Sequence, residues 1–160
     1  MKTLFLVRHA RSAQHASLPD RDRPLDDRGE RDAVAMARRL AERGVRPDAL
    51  GSSPARRALA TAARFADAFG VARAAIVVDD RLYASSAGEL LAVVQSLDDR
   101  QHSAMLFGHN PGFSDLVRRL AGRFVELPPC AVAELRFDIE HWLEIGAVAP
   151  VSASIDAPQD

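Results

Sequence analysis

The chain has 160 residues, 48% of them hydrophobic, and a formal net charge of −1 from 21 basic and 22 acidic side chains. This size and composition predict one globular domain with a substantial core, and the balanced charge disfavours nucleic acid or an anionic membrane surface as the main partner. A single cysteine excludes an internal disulfide, and no apolar run approaches the roughly 20 residues of a membrane span, so we expect a cytoplasmic location.

Alternating strand and helix patterns run along most of the chain. The predicted strands cover residues 2–8, 48–52, 75–79, 103–108, 131–138 and 142–149. Helical spacing of apolar residues follows each of the first four strands. The first two helices are predicted over residues 28–43 and 54–69, each followed by a glycine.

Capping residues predict where the other two helices begin. Ser86 and Glu89 have the spacing of a capping box, and that helix is predicted to extend through Leu97. Asn110 and Pro111 are predicted to be the N-cap and first residue of the fourth helix.

This order of elements predicts a three-layer α/β/α fold with an open, mostly parallel sheet. Only a few residues separate the last two predicted strands, so we expect an antiparallel hairpin at the C-terminal edge. The predicted domain covers residues 1–151, and residues 152–160 are predicted to be a frayed tail.

Basic side chains follow three of the predicted strands. Arg8 and His9 end the first strand, Arg57 lies in the first turn of the helix after the second strand, and His109 follows the fourth strand. Ligands of open α/β sheets bind beyond the carboxyl ends of the strands, where helix N-termini favour anions. Guanidinium groups bind phosphoryl oxygens in pairs, so the sequence predicts a phosphoryl site at this edge.

These segments together resemble the histidine phosphatase (phosphoglycerate-mutase-like) superfamily, and most of all its SixA-like phosphohistidine phosphatases. The matching segments are Leu6-Val7-Arg8-His9-Ala10, Arg23-Pro24-Leu25 with Arg28-Gly29, Ser53-Pro54-Ala55-Arg56-Arg57-Ala58 with Thr61, and Gly108-His109-Asn110-Pro111. The ordered series is specific, whereas each segment alone is not. The equivalent arginine of the third segment is Arg57, and Arg56 occupies a variable position.

The resemblance implies a phosphoglycerate-mutase-like fold and a role for each site residue. His9 would be the nucleophile that forms a phosphohistidine intermediate. Arg8, Arg57 and His109 would bind the phosphoryl oxygens, and Ser12 is a further candidate for this binding. No metal and no cofactor are expected, because the arginines supply the positive field. The expected substrate is a phosphorylated protein or a small phosphorylated molecule.

One departure from the larger relatives bears on the substrate. They carry a carboxylic acid after the third strand, whereas here Leu82-Tyr83 is followed by Ala84-Ser85-Ser86. An alkoxide leaves poorly without a proton donor, but an imidazole leaves more easily, so the missing acid favours phosphohistidine. Asp22, Asp80 and Tyr83 remain candidates for supplying a proton.

Some alternative functions fit the same motifs, and others are disfavoured by particular residues. A small-molecule phosphomonoesterase and a non-catalytic phosphohistidine-binding module fit the same motifs. Cys130 and Arg136 have the spacing of cysteine-dependent phosphatases, but no glycine lies between them and the segment is predicted to be a strand. No His-x-His, His-Glu-x-x-His or Walker A motif is present.

Overall fold

The computed structural model describes residues 1–14 and 17–159. In this part of the chain one sheet contains β1 Lys2–Arg8, β2 Ala49–Ser52, β3 Val77–Val78, β4 Ser103–Gly108, β5 Val132–Phe137 and β6 Ser152–Asp156. The α-helices are α1 Asp27–Glu42, α2 Arg56–Phe69, α3 Ala87–Gln95 and α4 Gly112–Ala121. Among these described helices, none is both long and apolar enough to cross a bilayer.

The strand order is β3-β2-β4-β1-β5-β6, and the first four of these strands are parallel. β5 pairs antiparallel with β1, and β6 pairs antiparallel with β5. β1 is buried on both faces: Phe5 and Val7 pack with α1 and α2, whereas Leu4 and Leu6 pack with α3 and α4. The predicted three-layer α/β/α fold is therefore confirmed.

The C-terminal edge differs from the sequence prediction. Residues 142–149 do not form a strand; Trp142–Glu144 is a 3-10 turn, and β6 lies in the segment predicted to be a frayed tail. The Trp142 side chain is fully buried, and its Nε1 donates to the carbonyl oxygens of Asp98 and Gln101 at 3.1 and 3.0 Å. The apolar run thus marks a turn that is anchored by two buried side chains, Trp142 and Ile145, while Leu143 and Val148 are exposed. β6 is partly exposed at the sheet edge, so it carries little hydrophobic signal.

The predicted capping residues begin α3 as expected but do not begin α4. The Ser86 Oγ accepts from the Glu89 amide, and Glu89 Oε1 accepts from the Ser86 amide, as predicted for a capping box. In contrast, α4 begins at Gly112, with Pro111 at the N-cap position. Asn110 lies one residue earlier, where its Oδ1 accepts from the amide of Ser114 at 3.1 Å.

Gly29 allows α1 to begin directly against the loop that follows β1. Its amide donates to the Oδ1 of the N-cap Asp26 at 2.7 Å. A Cβ built at Gly29 would lie 2.0 Å from the carbonyl oxygen of Arg11, which belongs to the backbone of that loop. No side chain fits there without moving the backbone.

We expect Gly29→Ala to lower the free energy of unfolding by about 1–3 kcal/mol, because the added methyl group must displace backbone atoms. Gly88→Ala is the matched control, since Gly88 also lies in the first turn of a helix and its Cβ would meet its nearest neighbour, Arg119 Nη1, at 3.7 Å. That variant should be neutral or slightly stabilised. Urea unfolding of both variants measures the difference, and equal midpoints would contradict the close approach.

Candidate active site

The parallel register of the sheet brings three strand ends to one level. Arg8 on β1 lies opposite Gly108 on β4, and Ser52 on β2 lies opposite Phe107. The amide of His9 donates to the Gly108 carbonyl at 2.9 Å, and that of Ser53 donates to the Phe107 carbonyl at 3.0 Å. The residues that follow these strands therefore meet at the carboxyl edge, as predicted.

His9 is held in a single tautomer. Its Nδ1 lies 2.7 Å from the carbonyl oxygen of Ala10, which can only accept, so the proton is on Nδ1. The lone pair is then on Nε2, which accepts from Arg57 Nε at 3.3 Å. The side chain is 9% exposed. Its unprotonated nitrogen, Nε2, thus faces Arg57 inside the site.

His109 lies beside His9, with ring centroids 5.2 Å apart. Its Nε2 is 2.7 Å from the Ser53 hydroxyl, and its Nδ1 is 3.5 Å from Arg57 Nη2. Because a guanidinium only donates, Nδ1 carries the lone pair and Nε2 donates to Ser53. His109 can therefore donate to a phosphoryl oxygen through Nδ1 only after it gains a proton.

Arg57 connects the two histidines from the first turn of α2. Its carbonyl accepts from Thr61 Oγ1, which in turn accepts from the Ala10 amide and so joins α2 to the loop after β1. Its side chain is buried, whereas that of the neighbouring Arg56 is exposed. The structure therefore places Arg57, and not Arg56, beside the two histidines.

Arg8 supplies a buried donor that is not used within the described residues. Its Nη1 donates to the carbonyl oxygen of Leu127 at 2.9 Å, which fixes the guanidinium at the end of β1. Its Nε is buried and has no hydrogen-bond partner in the described part of the chain. A buried donor without an acceptor is costly, and Arg8 lines the same cleft as His9.

Three further residues, Asp20, Arg23 and Tyr83, contact the site, and the sequence suggested a role at the substrate only for Tyr83, as a source of a proton. Asp20 Oδ2 accepts from Arg57 Nη2 at 3.0 Å and from the Tyr83 hydroxyl at 2.6 Å. Asp20 Oδ1 accepts from Arg23 Nε at 3.2 Å. Arg23 could have been found from its matched segment, but Asp20 lies between β1 and α1 outside the matched segments. Asp22 and Asp80, the other suggested proton sources, are exposed.

Ser12 supports Arg23. Its Oγ accepts from Arg23 Nη1 at 2.8 Å, and it lines a cleft of about 500 Å³ together with Arg8 and His9. A second cleft of about 390 Å³ lies on the side of His109. The two clefts flank the pair of histidines.

Burial and nearby arginines keep both histidines neutral. Burial, followed by the charges of Arg57 and Arg8, lowers the pKa of His9 to about 4. Burial likewise lowers the pKa of His109 to about 3. Hydrogen bonds from Tyr83, Arg57 and Arg23 hold the pKa of Asp20 well below its usual range. At neutral pH the site therefore contains cationic arginines, one carboxylate and two uncharged imidazoles.

The positions of Cys130 and Arg136 do not support the mechanism of a cysteine-dependent phosphatase. Cys130 is buried, and burial raises the pKa of its thiol to about 12, so it is not a thiolate at neutral pH. Arg136 lies exposed within β5. His102 and His141 are exposed, and His15 is outside the described residues. In residues 1–14 and 17–159, no group of three or more His, Cys, Asp or Glu could hold a metal ion.

We expect an NMR titration to show His9 uncharged down to about pH 4. His141 is the internal control, because its hydrogen bond with Asp99 raises its pKa above the usual value. Since the pKa of His9 is lower in the folded protein than the 6.5 of an unfolded chain, protonation favours unfolding. The contribution of the uncharged His9 to stability is therefore complete above pH 6.5 and is lost as the pH falls from 6.5 towards 4. A His9 ring that titrates together with His141 would contradict the buried, arginine-lined site.

Comparisons with known proteins identify relatives of this arrangement. A family model of the histidine phosphatase superfamily (branch 1) matches residues 4–110, which include Arg8, His9, Arg57 and His109. An uncharacterized chloroplastic protein of Arabidopsis thaliana is 29% identical over 157 residues, which is 92% of this chain and 72% of that protein.

Solved structures show the same fold. The protein assigned as phosphohistidine phosphatase SixA in Agrobacterium tumefaciens is 27% identical, with a TM-score of 0.82 over 99% of both chains. A protein histidine phosphatase SixA in complex with tungstate is 24% identical, with a TM-score of 0.79 over 96% of this chain and 94% of that one. The chain therefore belongs to the histidine phosphatase superfamily, within which it is similar to the SixA phosphohistidine phosphatases.

Proposed function

We propose that this protein is a metal-independent phosphatase that transfers a phosphoryl group to His9, and that its preferred substrate is a protein phosphohistidine. Membership of the superfamily supports phosphatase activity. The observation that carries the proposal is the fixed lone pair on His9 Nε2, which faces the guanidinium of Arg57 and lies in a cleft that Arg8 also lines. The cationic donors would bind an anion, and the lone pair would attack its electrophilic centre, as in a phosphoryl group.

The reaction follows from the positions of the side chains. The phosphoryl group displaces the hydrogen bond between Arg57 and His9, and its oxygens take the donors of Arg57 and Arg8. His9 Nε2 attacks phosphorus in line as the bond to the leaving group breaks. Water then attacks the phosphohistidine, phosphate departs and Nε2 regains its lone pair. The charge of the bound phosphoryl group favours protonation of His109, which then donates through Nδ1.

The preference for phosphohistidine rests on the leaving group. The segment after Leu82-Tyr83 carries no carboxylate before Glu89, and Glu89 is hydrogen-bonded to the Ser86 amide at the start of α3. Asp20 is held ionised by its three donors. A departing alkoxide would therefore find no carboxylic acid here to protonate it. An imidazole, in contrast, needs no proton on the nitrogen that was bonded to phosphorus.

We expect phosphate release from a phosphohistidine protein to exceed release from common phosphomonoesters, and to persist in EDTA because arginines supply the positive charge. A substrate panel measured with and without EDTA tests both points. Faster turnover of a phosphomonoester would favour a small-molecule phosphatase, and loss of activity in EDTA would overturn the metal-independent mechanism. Binding of phosphohistidine without release would indicate a recognition module.

We expect His9→Ala to abolish phosphate release, and Arg57→Ala to lower the rate about 10²- to 10³-fold, because one removes the nucleophile and the other a donor to the phosphoryl oxygens. Cys130→Ser is the control and should retain activity, since the thiol of Cys130 is protonated and takes no part. Single-turnover assays with labelled substrate should also show label on the wild-type protein and none on His9→Ala. Activity lost in Cys130→Ser and kept in His9→Ala would reverse the assignment.

A further inference from the structure

Asp20 lies at the mouth of the candidate active site. Its side chain is 52% exposed, whereas His9 and His109 are each 9% exposed beneath it. It belongs to the 3-10 turn Asp20–Asp22 in the loop between β1 and α1. The carboxylate therefore lies between the buried imidazoles and solvent.

This carboxylate occupies the donors that an incoming phosphoryl group needs. Arg57 donates to Asp20 twice, from Nη1 to the carbonyl oxygen at 2.7 Å and from Nη2 to Oδ2 at 3.0 Å. Arg23 donates to Oδ1 from both Nε and Nη2. When phosphoryl oxygens take Arg57 Nη2, the Asp20 carboxylate keeps its charge and the hydrogen bonds from Tyr83 and Arg23, and its Oδ2 can accept a replacement donor at the mouth.

The replacement is available on one kind of leaving group. Because His9 attacks from the buried side, in-line displacement places the leaving group on the opposite side of phosphorus, towards the mouth. Asp20 Oδ2 and the Tyr83 hydroxyl, 2.6 Å apart, lie there. The ring of Tyr83 stands edge-on to His109 at 5.4 Å, which fixes this wall of the mouth against the site.

We propose that Asp20 is a specificity-determining residue that accepts a hydrogen bond from the N–H of a protonated nitrogen heterocycle on the leaving group, as in the imidazolium of phosphohistidine. This inference rests on the proposed function for the position of the phosphoryl group. Asp20 would thus distinguish substrates with a P–N bond from substrates with a P–O bond.

The chemistry balances without a proton donor. As the bond between phosphorus and the substrate nitrogen breaks, its electron pair stays on that nitrogen and a bond forms between phosphorus and His9 Nε2. The proton on the distal nitrogen stays hydrogen-bonded to Asp20, so the imidazole leaves uncharged. An alcohol has no such N–H, and its developing alkoxide would face a carboxylate of the same charge.

Binding measurements in a His9→Ala background test the proposal without turnover. We compare His9→Ala with His9→Ala/Asp20→Asn, using a phosphohistidine peptide, a phosphoserine peptide of the same sequence and inorganic phosphate, by calorimetry. Asparagine keeps an acceptor for Arg57 but removes the charge. Phosphohistidine binding should weaken roughly 10- to 100-fold, whereas the phosphoserine peptide and phosphate should bind equally or more tightly.

Asp22→Asn in the same background is the matched control, because Asp22 is exposed on the same turn and its loss removes the same charge. It should leave all three affinities unchanged. Retained phosphate binding shows that the Asp20 variant is folded. Equal weakening of both peptides, no weakening of either, or an equal effect of Asp22→Asn would overturn the proposal.

An activity measurement separates this inference from the proposed function. In the chain with His9 intact, Asp20→Asn should lower kcat/KM for phosphohistidine roughly 10- to 100-fold and leave that for p-nitrophenyl phosphate unchanged or higher. A wild-type chain that releases no phosphate from phosphohistidine overturns the proposed function, and the binding contrast still decides the role of Asp20. Parallel losses on both substrates would reject the specificity role while leaving the phosphatase intact.

Discussion

The parallel pairing of β1 with β4 is the constraint on which the site depends. Arg8 lies opposite Gly108, so the residues that follow the two strands, His9 and His109, meet with ring centroids 5.2 Å apart. A shift of one residue would place each side chain on the opposite face of the sheet. Because β1 packs between two helical layers, such a shift would also expose its buried residues. The core and the site therefore fix the same register.

Arg57 contacts three titratable groups that meet at this edge of the sheet, His9, His109 and Asp20. It donates to His9 and to Asp20 and lies beside His109, so one guanidinium touches both histidines and the carboxylate at the mouth. Burial is the main cause that lowers the pKa of both imidazoles, and the charge of Arg57 acts in the same direction. The result is an uncharged imidazole next to cationic donors, the combination that the proposed attack on an anionic phosphorus centre requires.

The sequence was sufficient for the parts of the fold with strong local signals. β1 and β4 are apolar on both faces, and their predicted bounds agree with the structure. Trp142 was misassigned because a turn anchored by a buried aromatic side chain and a strand both contain large apolar residues, and β6 was missed because an edge strand can be polar. The position of Asp20 depends on contacts with residues 37 and 63 positions away, so no local pattern could reveal it.

The position of Asp20 also bears on how such a site could change its chemistry. An acid that protonates an alkoxide must hold its proton at neutral pH, which requires burial or a like charge nearby. Asp20 has the opposite surroundings, since Tyr83, Arg57 and Arg23 all donate to it. Those donors also include the groups that receive the phosphoryl oxygens. Converting Asp20 into an acid would therefore weaken phosphoryl binding, whereas a carboxylate introduced in residues 84–88, after Tyr83, would avoid that conflict. A site that uses Asp20 as an acceptor is consistent with the absence of a carboxylate from that segment.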